Sequence, residues 1–245
     1  MMEIFIKIFY NIVMEKSHFG DLYLVSTPIG NLEDITFRAI KVLKEVDEII
    51  CESTNKAKIL LSHYQIKKPL IHLSDENQID VVPKIFKKLL SGKNLALISD
   101  AGTPVISDPG FFLVKQVIKN DIKVVPVPGP SSILSALITS GLPPRPFLFL
   151  GFLPKNETDK KKIFEGLFDL KIQKEKPTIV FFESPQRLIK TLEIINQINS
   201  KTEISIAREI TKVFEEFIRG KISEVFKSLK EMKEIKGEVT ITIKI

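Results

Sequence analysis

The residues best placed to do chemistry lie in one loop. An apolar run, Leu95–Ile98, opens into Ser99-Asp100-Ala101-Gly102-Thr103-Pro104-Val105-Ile106-Ser107-Asp108-Pro109-Gly110. Gly102 and Gly110 reach backbone angles closed to other residues, and Pro104 and Pro109 fix theirs. Such a loop is stiff and presents backbone N–H and C=O groups together with two carboxylates. It follows a strand, where α/β sheets place their ligands. Two further junctions share this character: Ser26-Thr27-Pro28-Ile29-Gly30-Asn31 after Leu22–Val25, and Pro128-Gly129-Pro130-Ser131-Ser132 after Val124–Val127. Loops of this kind suit a small, partly charged ligand held by backbone groups. An adenine edge can be read by the backbone, a ribose by a carboxylate, and a sulfonium rests near carbonyl oxygens without a full counter-charge. S-adenosylmethionine fits that set at least as well as a phosphorylated nucleotide, which would call for more Lys or Arg in the loops.

Several chemistries are excluded by what the chain lacks. No GxGxxG dinucleotide fingerprint and no GxxxxGK phosphate loop occur. GxSxG and HExxH are absent as well. His18, His63 and His72 show no metal-ligand spacing, and nothing pairs Asp75-Glu76 with Asp100 or Asp108 as a Mg²⁺ site, so no metal is expected. The single cysteine, Cys51, rules out an internal disulfide framework.

The elements that must position these loops alternate as strands and helices. Strands are predicted at Leu22–Val25, Glu48–Cys51, Leu95–Ile98 and Val124–Val127. Helices are predicted at Asp34–Val46 with Asp34 as N-cap, Lys56–His63, Val81–Leu90, Phe111–Asn120 and, capped by Ser131 or Ser132, Ile133–Ser140. This is a first α/β domain of parallel character, spanning 21–141. Gly141-Leu142-Pro143-Pro144-Arg145-Pro146 reads as a link to a second α/β domain, 147–245. Its predicted strands are Phe147–Phe152, Thr178–Phe182, Glu203–Ala207 and Glu238–Ile245. Its predicted helices are Asn156–Leu170, Ser184–Ile198, Val213–Arg219 and Ile222–Glu231.

With 245 residues and 44% hydrophobic content the chain can bury a substantial core. The net charge of +6 points weakly to a polyanionic partner, since lysine dominates the basic residues along the whole chain. The five arginines, Arg38, Arg145, Arg187, Arg208 and Arg219, say more, because each lies in or beside a segment singled out on other grounds. No apolar segment reaches the ~20 residues of a membrane helix. Residues 1–20 read as an extension ahead of the fold, without the apolar core or cleavage site of a signal peptide, which implies a cytoplasmic protein. Translation from Met14 would account for the extension, and mass spectrometry of the native N-terminus distinguishes Met14 from Met1.

Seven segments in register carry a family resemblance: LYLVSTPIGNLEDIT (22–36), LISDAGTPVISDPG (97–110), PVPGPSS (126–132), SGLP (140–143), GFLP (151–154), FFESPQRL (181–188) and REITKVFEEFIRG (208–220). From Asp21 onward the chain resembles the bacterial ribosomal RNA small-subunit methyltransferase I family of the tetrapyrrole-methylase superfamily. The resemblance implies two α/β domains with S-adenosylmethionine in the cleft between them, a homodimer, and 2′-O-methylation of a cytidine in the decoding region of 16S rRNA on the small ribosomal subunit. Carried over, Asp100, Ala101, Gly102, Thr103 and Pro104 line the cofactor cleft with Pro128, Gly129, Pro130 and Ser131 opposite, while Phe181 and Arg208 close it. Thr27, Pro28 and Asn31 face the transferred methyl; Arg38, Arg187 and Lys160–Lys162 are candidates for RNA contact.

A sulfonium methyl is already activated, so transfer to a ribose hydroxyl depends chiefly on positioning, with a base accepting the proton late. Glu52, Glu209 and Lys212 are the candidate bases, and Lys212 would have to be desolvated to serve. The chain departs from the family at Ser53 and Asn55, where an Asp and an Arg are usual, and at Gln186, where a His is usual. Two other readings stay open: a tetrapyrrole methylase of the same superfamily, and a member with impaired turnover.

Overall fold

A computed structural model describes residues 19–170, 172, 175–232 and 234–245. The expected extension, including Met14, lies outside the described residues save for Phe19 and Gly20. The chain divides into two compact units, one of residues up to Pro28 with Leu32–Pro130, the other of Ile29–Asn31 with Ser131–Ile245. The division therefore falls at Pro130, ahead of the expected 142–146 link.

The first unit is a five-stranded sheet in the order β3-β2-β4-β1-β5, formed by β1 (Leu22–Val25), β2 (Glu48–Cys51), β3 (Leu70–His72), β4 (Leu95–Ile98) and β5 (Val124–Val127). All its pairings are parallel. Inner strands β2 and β4 are buried at every residue, as continuous apolar runs require when helices cover both faces. Helices α1 (Phe37–Glu45) and α2 (Thr54–His63) pack Ala39, Leu43, Ala57 and Leu61 on one face. Helices α3 (Gln78–Leu90) and α4 (Phe111–Lys119) pack Ile85, Leu89, Leu113 and Val117 on the other. Each such side chain contributes roughly 1.5–3 kcal/mol on burial. Pro126 can sit in β5 because β5 is an edge strand.

The predicted start of α1 is corrected. Leu32–Asp34 form a separate 3₁₀ turn, and Thr36, not Asp34, caps the helix through Oγ1 accepting the Ala39 N–H at 3.0 Å. β3 was hidden in the sequence, because its three residues show no burial alternation.

The second unit holds β6 (Phe147–Phe152), β7 (Thr178–Glu183), β8 (Glu203–Arg208), β9 (Glu216–Lys221) and β10 (Val239–Lys244), in the order β6-β7-β10-β8-β9. Only β6 and β7 run parallel; the remaining pairs are antiparallel. Helices α6 (Glu157–Phe168), α7 (Pro185–Ile198) and α8 (Ile222–Lys230) bury one face around Phe164, Phe181, Leu192 and Ile241. Helix α5 (Ser132–Thr139) packs on this unit's sheet, against β7, β8 and β10, rather than staying with the first unit. The predicted helix Val213–Arg219 does not form. Its apolar residues mimic helical spacing, but residues 216–221 pair with β8, where the hairpin satisfies the strand's hydrogen bonds.

One buried network ties this unit together. Glu183 ends β7 with both carboxylate oxygens occupied: Oε2 accepts from Lys160 Nζ at 2.9 Å and Thr191 Oγ1 at 2.7 Å, and Oε1 from the Ser184 N–H at 2.9 Å and from Arg187. Lys160 also donates to Thr191 Oγ1 at 2.7 Å. Arg187 further donates to Ser184 Oγ and the Leu153 carbonyl. Lys160 and Arg187 are thus corrected from RNA contacts to structural ties joining α6, β7 and α7, while Lys161 and Lys162 stay exposed. Removing Lys160 takes away one of the two cations that meet the fully buried Glu183 carboxylate, leaving Arg187 as its remaining counter-charge. Lys160→Met is expected to cost about 3–5 kcal/mol, and Lys160→Met with Glu183→Leu distinctly less than the sum of the two single changes, as read by urea unfolding.

Candidate functional site

In the first unit the three sequence-selected loops meet. Thr27 and Gly102 form a backbone bridge, with N–H to carbonyl distances of 2.9 and 3.0 Å. Thr27 Oγ1 also reaches the Ser99 carbonyl at 3.3 Å, and Ser99 Oγ donates to the Gly102 carbonyl at 2.9 Å. Ser26 Oγ lies 3.1 Å from Thr103 Oγ1, which in turn reaches the Pro130 carbonyl at 3.3 Å. A Cβ on Gly129 would stand 2.9 Å from Ser26 Cβ, so that approach demands glycine. The loops after β1, β4 and β5 form one stitched surface at the carboxyl ends of three adjacent strands.

The surface is strained where it turns. Val105 and Ser107 adopt φ of 75° and 65°, costly for non-glycine residues and above all for a β-branched one. Gly110, at φ 125°, enters α4 where a Cβ would meet Leu97. Thr27 is buried beneath the surface with its hydroxyl engaged, so its expected role facing the substrate is corrected to that of a clamp. Gly102 and Pro104 are buried, while Ala101, Thr103, Pro128 and Gly129 are exposed and Pro130 is half-buried.

Carboxylates gather beside these loops. Asp100 Oδ1 accepts the Ser53 N–H at 3.0 Å, and Oδ2 pairs with Lys56 at 3.0 Å. Ser53, standing where the family usually has Asp, caps α2 by accepting the Lys56 N–H. Burial, then the charge of Asp100, raises the Glu52 pKa. Burial, with Glu52 and Asp100 nearby, pushes Asp108 up to about 6. The sequence placed Asp108 in the loop, but Ser-Asp-Pro-Gly reads as a turn and gives no hint that Glu52 and Asp100 are its neighbours. Burial and Asp100 push the Cys51 thiol to about 11, which excludes it as a nucleophile at neutral pH.

The second unit holds the remaining candidates. The Asn31 N–H donates to Thr211 Oγ1 at 3.1 Å, and a Cβ on Gly30 would lie 2.3 Å from Lys212 Cγ, so Gly30 permits this close approach. Lys212 Nζ donates to Glu209 Oε1 at 2.8 Å and Glu238 Oε2 at 2.9 Å. Burial opposes its charge, but those hydrogen bonds prevail and its pKa is raised. Lys212 is thus held in its charged form by two carboxylates. The Lys212 hydrogen bond, then the Glu238 N–H, hold Glu209 below the usual carboxylate range. With Oε1 so occupied, Glu209 serves the turn.

Strand alternation sets where two further expected cofactor contacts point. Phe181 is fully buried among the helices, against Phe164; Phe182 faces the other way and packs on Phe149 and Phe152. Arg208 points away from Ala207 and ties β8 to β9 through Glu216 Oε2 at 2.9 Å and to the Lys236 carbonyl at 3.1 Å. It lines a cavity of about 240 Å³ with Ile206, Leu229 and Lys236. Ser131 Oγ caps α5 at the Leu134 N–H. Arg38 is exposed at the start of α1 and makes no ion pair among the described residues.

The Asp108 environment has a measurable consequence. An unfolded Asp titrates near 3.9, so between pH 4 and 6 the unfolded chain loses this proton while the native state keeps it. Stability from this group falls as pH rises through that window, and the cost is fully present above pH 6. Asp108→Asn removes the fall. Relative to the native sequence, the variant is expected to gain on the order of 1 kcal/mol between pH 4 and pH 7.5 in denaturant unfolding, whereas a constant offset at both pH values would show that Asp108 titrates normally.

The tetrapyrrole (corrin/porphyrin) methylases match residues 21–225. A protein of Thermotoga maritima named ribosomal RNA small subunit methyltransferase I is 46% identical over 224 residues, covering 91% of this chain and 98% of that one. Its namesake in Bacillus subtilis is 48% identical over 228 residues, covering 93% and 76%. The uroporphyrin-III C-methyl transferase of Thermus thermophilus, solved with S-adenosyl homocysteine, superposes with a TM-score of 0.61 at 16% identity over 91% of this chain and 97% of its own, a likeness of fold. On these similarities the chain belongs to the ribosomal RNA small subunit methyltransferase I family, within the tetrapyrrole methylases.

Proposed function

We propose that the chain transfers a methyl group from S-adenosylmethionine to the 2′-hydroxyl of a cytidine in the decoding region of 16S rRNA. It is an S-adenosylmethionine-dependent rRNA methyltransferase, and its relatives at 43–48% identity carry the small-subunit name. One observation carries the chemistry: the three stitched loops of the first unit contain no Lys or Arg and are flanked by Glu52, Asp100 and Asp108. That donor set suits a ligand with hydroxyls, an amine and a sulfonium, and opposes a polyphosphate. The residues present therefore fit the cofactor. Ala101, Thr103, Pro128 and Gly129 offer backbone and hydroxyl groups, and Asp100 keeps acceptor capacity beyond its two partners. The bound cofactor supplies an activated methyl on a sulfonium.

The chain's own task is to hold the ribose hydroxyl in line and take its proton. Glu52 is the base in this reading, because burial and then Asp100 raise its proton affinity above that of an ordinary carboxylate, whereas Lys212 and one oxygen of Glu209 are engaged with each other. Asn31, Arg38, Lys161 and Lys162 are the RNA-facing groups. The partner is the small ribosomal subunit, and the reading includes a homodimer in the cytoplasm.

Mapping 2′-O-methylation on small-subunit rRNA with and without the gene is expected to show one decoding-region cytidine that depends on it; an unchanged map refutes the assignment. Glu52→Gln is expected to lower kcat about 100-fold or more while leaving S-adenosylmethionine affinity within about threefold. Unchanged kcat would remove Glu52 from the chemistry.

A further inference from the structure

Helix α5 rests on a seat that holds it weakly. It packs on the sheet face opposite Ile206 and Ile241, and on β10 and β8 that face carries Thr240, Thr242, Ser205 and Ala207, all buried. Thr242 and Ser205 stand opposite each other, and among the described residues neither Thr242 Oγ1 nor Ser205 Oγ has a hydrogen-bond partner. Buried hydroxyls without partners oppose packing. The helix has eight residues, of which Ala136 and Leu137 are buried, and a helix so short does not persist by itself.

Its hold comes from the C-terminal end. The Thr139 and Ser140 hydroxyls donate back to the Ser135 and Leu137 carbonyls at 2.6 and 2.7 Å. The Thr139 carbonyl, the last of the helix, accepts from Arg219 Nε at 2.9 Å and Nη2 at 2.7 Å. Arg219 stands beside Ser205 in the sheet, and its guanidinium carbon lies 4.9 Å from the centroid of the Phe217 ring, which packs with Ala136. A cation at the negative end of a helix is favourable, and the planar fork fixes direction as well as distance. At the other end the chain passes from Pro128-Gly129-Pro130 into Ser131. Its Oγ accepts the Leu134 N–H at 3.4 Å and its carbonyl the Ser135 N–H at 3.0 Å. Two prolines leave that stretch little freedom, so where α5 lies constrains how the loop ends.

We propose that Arg219 is a positioning residue for S-adenosylmethionine: by clamping the last carbonyl of α5 it holds Ser131, and the Pro128–Pro130 loop that runs into it, in the conformation that binds the cofactor. This rests on the reading above of that loop as part of the cofactor site. Arg219 itself touches neither cofactor nor reacting atoms. Its loss therefore acts on cofactor affinity and leaves the transfer step alone.

The test uses the full-length protein and small subunits from cells lacking the gene. S-adenosylmethionine affinity by calorimetry, urea unfolding, kcat and KM are measured for the native sequence, Arg219→Met and Arg219→Lys. Lys244→Met, which removes another exposed cation from the same sheet, is the control. Arg219→Met is expected to weaken S-adenosylmethionine binding about tenfold, with kcat at saturating cofactor and KM for subunits within about twofold of native. Arg219→Lys keeps the charge, loses the fork and is expected to weaken binding about threefold; it decides the question where Arg219→Met does not fold. The control binds as the native protein does. Native affinity in the folded Arg219 variants, even with an earlier urea transition, overturns the proposal and leaves Arg219 a structural tie. A fall in kcat at saturating cofactor, or an equal loss of affinity in Lys244→Met, overturns it too. Native protein that binds no S-adenosylmethionine overturns the cofactor site and the proposal with it, whereas normal native binding beside indifferent Arg219 variants overturns the proposal alone.

Discussion

The backbone pair between Thr27 and Gly102 is the constraint on which the first unit's candidate site depends. Parallel strands fix their spacing but leave the loops beyond them free. Here a separate antiparallel bridge joins the two loops past the end of the parallel β1–β4 ladder, and the Ser26–Thr103–Pro130 chain carries the tie to the loop after β5. These bonds replace water on groups that would otherwise be solvated, so each adds only about 1 kcal/mol. Their effect is on geometry: three loops become one rigid surface. The strain at Val105 and Ser107 persists because this surroundings over-determines it.

A surface so made suits chemistry that asks for position more than for acid and base. Among the described residues, Lys56 on Asp100 is the cation paired with the carboxylates that gather there. Burial first, and then the neighbouring carboxylates, raise the proton affinities of Glu52 and Asp108, at a cost to stability when they are charged. A cationic ligand relieves it, so the same electrostatic tension that weakens the free protein favours a sulfonium over a phosphate. The departure at Ser53 does not disturb this arrangement: its backbone N–H serves Asp100 and its hydroxyl caps α2.

Much of this was legible in the sequence. The short strands β1, β4 and β5 run into loops rich in Pro and Gly, which mark their ends chemically, and the structure keeps those limits and the ones read for β2. Site residues were harder, because motif membership does not tell which way a side chain points. Phe181 and Phe182 are adjacent in one motif, yet pleating sends the first into the core. Arg187 and Lys160 looked like cations awaiting phosphate; their partner Glu183 lies across a strand boundary, and only tertiary packing brings the three together. The segment after Arg208 misled for a related reason. Its apolar residues fit a helical stripe, but β8 needed an edge partner and the left-handed Glu209 and Thr211 turn the chain back to supply it.

That turn commits its charges to structure. Holding two non-glycine residues in left-handed conformations costs of order 1–3 kcal/mol each, and the ion pairs among Glu209, Lys212 and Glu238 offset part of it. A carboxylate and an ammonium committed to that work cannot also exchange a proton cheaply, since moving it would break the pair that stabilises the fold. The roles therefore separate. The second unit's charged turn is a scaffold, rigid because its charges are satisfied, and the first unit's strained loops keep the carboxylates whose proton affinities are free to shift.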